Sequence, residues 1–133
     1  MLVDTAYNIT VGNAIKAALD SGAVVQAWSG SEPSSSTAAP TGTKLVEGTI
    51  SASQVSVNAA GEVILTGITD AAADATGTPQ FVRIVDTSMN IQLSARMASN
   101  TAAGTKEVVI TDQDDAAATQ ILQNRKVVFS LKI

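Results

Sequence analysis

Cysteine and histidine are both missing from this chain of 133 residues. Without cysteine there is no disulfide and no thiolate metal site, so redox chemistry says nothing about the compartment. Without histidine the commonest general base, the commonest metal ligand and the usual triad partner go together. Aromatics are scarce too: Tyr7, Trp28, Phe81 and Phe129 are all there are. That argues against a sugar cleft walled with rings. Charge is thin, at 15% of residues with a net −4, and the eight basic residues are scattered. No basic stripe exists to neutralise a run of phosphates, so nucleic acid is not an expected partner. No apolar run approaches the roughly 18 residues of a membrane span, and the first residues lack the charged and apolar regions of a signal peptide.

What the chain does contain is Ala, Ser, Thr, Val and Gly, with Val, Ile and Leu at strand spacing. At this size one domain spanning 1–133 buries roughly two-thirds of its unfolded surface and needs no staples. A bland, neutral exterior suits packing against other protein copies.

Periodicity predicts one helix. Thr10 is a possible N-cap, and Val11, Ala14, Ile15, Ala18 and Leu19 follow on one face, with Gly22 placed to end it. Gly12 and Asn13 weaken its first turn, and residues 1–9 read as an N-terminal arm. From residue 24 the period falls to two. Strands are expected at 24–28, 44–50, 54–57, 62–66, 80–86, 91–97, 105–111 and 126–133, with Asn58-Ala59-Ala60-Gly61 as a hairpin turn. A long Ser/Pro/Ala/Gly loop fills 29–42. Segment 112–124 is open between a helix capped by Asp114 or Asp115 and an extended loop. About eight short strands with frequent turns point to a mostly β chain, an antiparallel β-sandwich with jelly-roll-like connections and one short N-terminal helix.

Candidate chemistry is sparse. There is no G-x-S-x-G and no phosphate-cradling glycine loop. Asp112, Asp114 and Asp115 form a D-x-D-D cluster, readable as a cation site but lacking the spacing of a calcium loop, and equally as solvated loop or helix cap. Trp28, just before the long loop, reads as core or interface anchor, or as a lone stacking platform for sugar. Arg83 interrupts an apolar strand and needs a partner if buried, with Asp86 or Glu47 in reach. No catalytic residue, cofactor or metal site is assigned, and no enzyme activity is expected.

One segment carries a resemblance. Thr76-Gly-Thr-Pro-Gln-Phe-Val-Arg-Ile-Val-Asp-Thr-Ser-Met-Asn90 resembles the T-G-T-x-x-[FW]-x-R-[IV]-x-D-x-x-G/N pattern of small virion structural proteins of tailed double-stranded DNA bacteriophages. The helix from Ala14 to Gly22, the W-S-G-S-x-P loop from Trp28 to Pro33 and the strand from Leu45 to Ile50 support it. The likeness covers roughly residues 11 to 97. Pro79-Gln80 and the Asp-rich C-terminal segment depart from it.

The resemblance implies a virion protein with a β-sandwich core, assembled in the host cytoplasm. Its foremost form is a capsid decoration (cement) protein on the outer head surface. It would bind the major capsid protein and self-associate as a homotrimer. Met1–Tyr7 and the 29–42 loop would be reaching arms, and Leu2, Val3, Tyr7, Trp28, Pro33 and Pro40 the candidate interface. A tail, collar or fibre-associated component is the alternative, and a carbohydrate-binding β-sandwich module the second.

Overall fold

The computed structural model describes residues 4–20, 22–70, 72–86, 90–99 and 108–133. Helix α1 (Thr5–Leu19) opens the chain. Eight strands follow: β1 (Val24–Trp28), β2 (Lys44–Thr49), β3 (Val55–Val57), β4 (Val63–Asp70), β5 (Phe81–Val85), β6 (Asn90–Met97), β7 (Val108–Asp112) and β8 (Val127–Lys132). Most lie close to the expected spans; β4 continues beyond the expected 62–66 to Asp70, and of the strand expected at 105–111, residues 105–107 lie outside the described residues.

The helix starts earlier than periodicity predicts. Asp4, not Thr10, is the N-cap, its Oδ1 accepting the Ala6 N–H at 2.8 Å. Thr10 is inside the helix and donates its hydroxyl to the Ala6 carbonyl one turn back. Residues 5–9, read as part of an arm, form the first turns of α1. Gly22 takes φ +101° shortly after the helix ends, a backbone state that suits glycine.

The strands form a single curled sheet in the order β2-β1-β5-β6-β7-β8-β4-β3. Every pairing is antiparallel except β6–β7, which is parallel. Strand β6 joins the two halves of the sheet: Asn90–Ser94 pair with β5 and Ala95–Met97 with β7. Curling brings β2 close to β4, and Gly48 makes this possible: a Cβ there would lie 3.0 Å from Ile68 Cγ2. On β4 the ladder to β8 slips at Gly67, which has φ +73° and reads as a glycine bulge that bends the strand.

One apolar core fills the curl, built from Val25 and Ala27 of β1, Leu45 and Val46 of β2, Leu65 and Ile68 of β4, Ile84 of β5, Ile110 of β7 and Phe129 and Leu131 of β8, with Leu19 from the helix. Full burial of a side chain of this size contributes about 1.5–3 kcal/mol. Between β7 and β8 the chain runs as turns, not helix. Ile121 is buried and bridges to Gly77, while Asn124 N–H donates to the Ala73 carbonyl. Segment 112–124 is thus the loop of the two readings, zipped to the loop before β5. Among the described residues no helix is long and apolar enough to cross a membrane.

Candidate functional site

Helix α1 lies across the β3–β4 turn, and two glycines allow the approach. Gly61 has φ +84°, and a Cβ on it would sit 2.5 to 2.7 Å from atoms of Asn8. A Cβ on Gly12 would sit 2.6 Å from the Gly61 carbonyl oxygen and 2.9 Å from Val57 Cγ1. The glycine that lowers helix propensity is therefore the contact point of the helix. The turn itself is built by Asn58, whose Oδ1 accepts the N–H groups of Ala60 and Glu62.

With the backbones this close, the flank of the helix opens a shallow cavity of about 380 Å³. Tyr7, Val11 and Ile15 line its helix side, with Gly61, Val63 and Ile133 opposite. Tyr7 is 58% exposed and Val11 42%, making them the large exposed apolar side chains among the described residues. They sit one turn apart on one face, so solvent meets an apolar strip continuous with the cavity. Its charged edge is neutralised: Glu62 pairs with Lys132 at 2.8 Å.

Two of the described carboxylates, Glu62 and Glu47, are held low. Glu62 is held below the ordinary glutamate value of 4.5 by the Lys132 ammonium and then by the Asn58 amide. Glu47 is lowered by the Gln26 amide first and by Lys44 next. A depressed folded pKa adds stability that is fully present above the unfolded value and lost as pH falls through the folded one. Urea midpoints should therefore decline on acidification below about pH 4.5. Glu47→Gln should flatten part of that limb. The Glu47 side chain is 38% exposed, so its share is below about 1 kcal/mol. Midpoints unchanged between pH 6 and pH 3 would contradict this.

The expected interface residues that the structure describes do not come together. Tyr7 is on the α1 strip. Trp28 and Pro33 belong to a different place, the outward face of β1, β5 and β6, and Pro40 lies in the loop between β1 and β2. Leu2 and Val3 lie outside the described residues. Trp28 is half-buried and stacked on Phe81, with ring centroids 6.4 Å apart and planes 6° apart, and its Nε1 donates to Gln26 Oε1. The ring is engaged within the chain. The 29–42 loop does not reach outward. It folds back over the sheet, and Arg83 finds its partners there. Its guanidinium donates to Gln92 Oε1 and to the carbonyls of Ser35 and Ala38, not to Asp86 or Glu47. The strip partners Val11, Ile15 and Ile133 escaped the sequence reading, because Val11 and Ile15 fit a core-facing helical stripe equally well.

The acidic cluster has a structural occupation. Asp112 is buried, and its Oδ1 accepts the N–H groups of Asp114 at 2.9 Å and Asp115 at 3.3 Å. The Arg125 guanidinium lies 3.3 Å from the Asp112 carboxylate and 3.8 Å from Asp114. Among the described residues no three His, Cys, Asp or Glu side chains gather to hold a metal.

No family model matches the chain, and no match is found among curated proteins or solved structures.

Proposed function

We propose that the chain is a structural protein of a tailed-phage virion, foremost a decoration protein that binds the outer surface of the head and stabilises the shell. In this reading the curled sheet is the body of a sandwich whose layers share β6, and the α1 strip is the docking face. The carrying observation is that strip: Tyr7 and Val11, 58% and 42% exposed, beside a neutralised, shallow apolar cavity. An aromatic anchor flanked by small neutral residues is what a protein–protein contact uses. The Thr76–Asn90 pattern supports the virion setting. A tail, collar or fibre location shares the same chemistry.

The test mixes purified protein with expanded heads that lack it. Saturable binding at a fixed ratio to the major capsid protein is the expected result, and absence of binding sinks the proposal for the head. Electron microscopy of a labelled copy on whole particles separates head from tail. A Tyr7→Ser/Val11→Ser chain should keep its thermal midpoint within a few degrees and lose on the order of tenfold or more in head affinity. Light scattering after size exclusion reads whether the isolated chain self-associates as the trimer that goes with the decoration-protein reading.

A further inference from the structure

Between β1 and β2 the chain leaves the sheet at Ser29 and returns at Thr43, and the two ends meet. Ser29 N–H donates to the Thr43 carbonyl at 3.0 Å, and Thr43 N–H donates to Ser29 Oγ at 3.3 Å. Glycines form the neck. Gly30 has φ +88°, and a Cβ on Gly42 would stand 1.8 Å from the Ser29 carbonyl oxygen. A compact surface segment with touching ends is an Ω-loop.

The segment has an unusual attachment. Residues 30–42 are Gly, Ser, Glu, Pro, Thr and Ala only, and none of them joins the core cluster. Yet the face it crosses is buried: Phe81 is fully covered and Arg83 is 7% exposed, with the Arg83 guanidinium 5.9 Å above the Phe81 ring. What holds the segment down is polar. Besides the Arg83 bonds to Ser35 and Ala38, Gln92 Nε2 donates to the Pro33 carbonyl at 2.7 Å, and Ser94 Oγ donates to Glu32 at 2.9 Å. Arg83 forms no ion pair among the described residues; its buried charge rests on carbonyl dipoles, two of them from the segment itself. These ties converge on three neighbouring positions, because Arg83 faces Gln92 across the β5–β6 ladder and Ser94 faces Phe81.

We infer that residues 29–43 form a strap that lifts and loosens as one cooperative unit, its Ser29–Thr43 neck and its inner Ala38–Ser35 bond parting with it, with Arg83 as its latch, and that opening uncovers the Trp28–Phe81 pair. The physical ground is an imbalance. Closing trades hydration of Arg83 and of the strap carbonyls for internal hydrogen bonds, a small net gain per bond. Apart from the cover it gives the Trp28–Phe81 pair, the strap adds little apolar burial: Pro33, Ala38 and Pro40 are only half-buried and none of its side chains joins the core. The body of the sheet is held by apolar burial that the strap does not share, so the strap can open without unfolding the rest. This is independent of the virion reading.

The single tryptophan is Trp28, so it reports the strap directly. The full chain is followed by amide hydrogen exchange at Ser29, Ala38 and Thr43 and by acrylamide quenching of Trp28. Arg83→Met keeps the stem and removes every donor. Exchange at these amides should rise on the order of tenfold or more, quenching should increase, and amides of β7 and β8 should keep their rates. Gln92→Leu leaves the arginine but deletes its oriented acceptor and the tie to Pro33, and should give the same pattern more weakly, so the test survives if Arg83→Met fails to fold. The inference is overturned if β7 and β8 accelerate together with the strap in the folded variant, or if Gln92→Leu leaves both exchange and quenching unchanged.

Discussion

Phe129→Ala is expected to lose about 3–5 kcal/mol, the usual range for truncating a fully buried phenylalanine. Phe129 is at 0% exposure in β8, between Ile110 of β7 and Ile68 of β4 in the strand registers. Val127 and Leu131 flank it on the same face, so the void would open in the middle of the core, where backbone on both sides is fixed by ladders. A site with little room to collapse pays towards the upper end. For a chain of this length the loss corresponds to a fall of about 10–20 °C in Tm. In urea the midpoint should drop with an unchanged slope, since the folded state keeps its surface. Phe129→Leu, which retains most of the volume, should lose much less. A Phe129→Ala midpoint within error of the parent would mean that the curled sheet does not close around this ring.

Much of the sheet is legible in the sequence because alternation is local. In β8, Val127, Phe129 and Leu131 are buried while Ser130 and Lys132 are exposed, the pattern that period two predicts. The Asn58–Gly61 turn is legible for the same reason: an asparagine side chain folding onto its own backbone and a glycine free to take positive φ are signals contained in four residues. How the strands join is not local. Nothing in 90–97 says that its first half pairs with β5 and its second half, parallel, with β7. That choice is made by which strands bury the core best when the sheet curls.

The helix start was hidden by a related effect. Thr10 is a residue type that caps and it stands just before the Val11–Leu19 stripe, so it masks the true cap at Asp4, and Gly12 reads as a weak first turn when its role is to admit the Gly61 carbonyl. At Arg83 the sequence shows that a buried cation needs partners, and the nearest acids are natural choices. The actual partners are a cross-strand glutamine and carbonyls of a loop some forty-five residues away in sequence, which no spacing announces. The α1 strip was therefore half visible: Tyr7 could be singled out as a rare aromatic, but its companions required the helix to be docked.

That docking gives the second large effect. Gly61→Ala is expected to destabilise by about 3 kcal/mol or more, and Gly67→Ala by about 1–2 kcal/mol, although both glycines have positive φ. The two sites separate strain from contact. At Gly67, φ is +73° and an added Cβ meets nothing within 4 Å, so alanine there suffers the left-handed backbone alone. At Gly61 the same backbone penalty applies at φ +84°, and the new methyl lands 2.5 Å from the Asn8 carbonyl carbon. Asn8 is helix backbone and cannot swing aside as a long side chain would, so the relief is for α1 to lift from the β3–β4 turn. Amide exchange should then rise across residues 5–19 in Gly61→Ala while β5 and β6 stay protected, and Gly67→Ala should leave the helix as it was. Because the strip of Tyr7 and Val11 is positioned by the docking of α1 on this turn, the Gly61 variant should also weaken binding to heads while the Gly67 variant binds as the parent does. Equal destabilisation by the two alanines would show that the helix is held elsewhere, and would remove the physical reason for treating that strip as a fixed docking face.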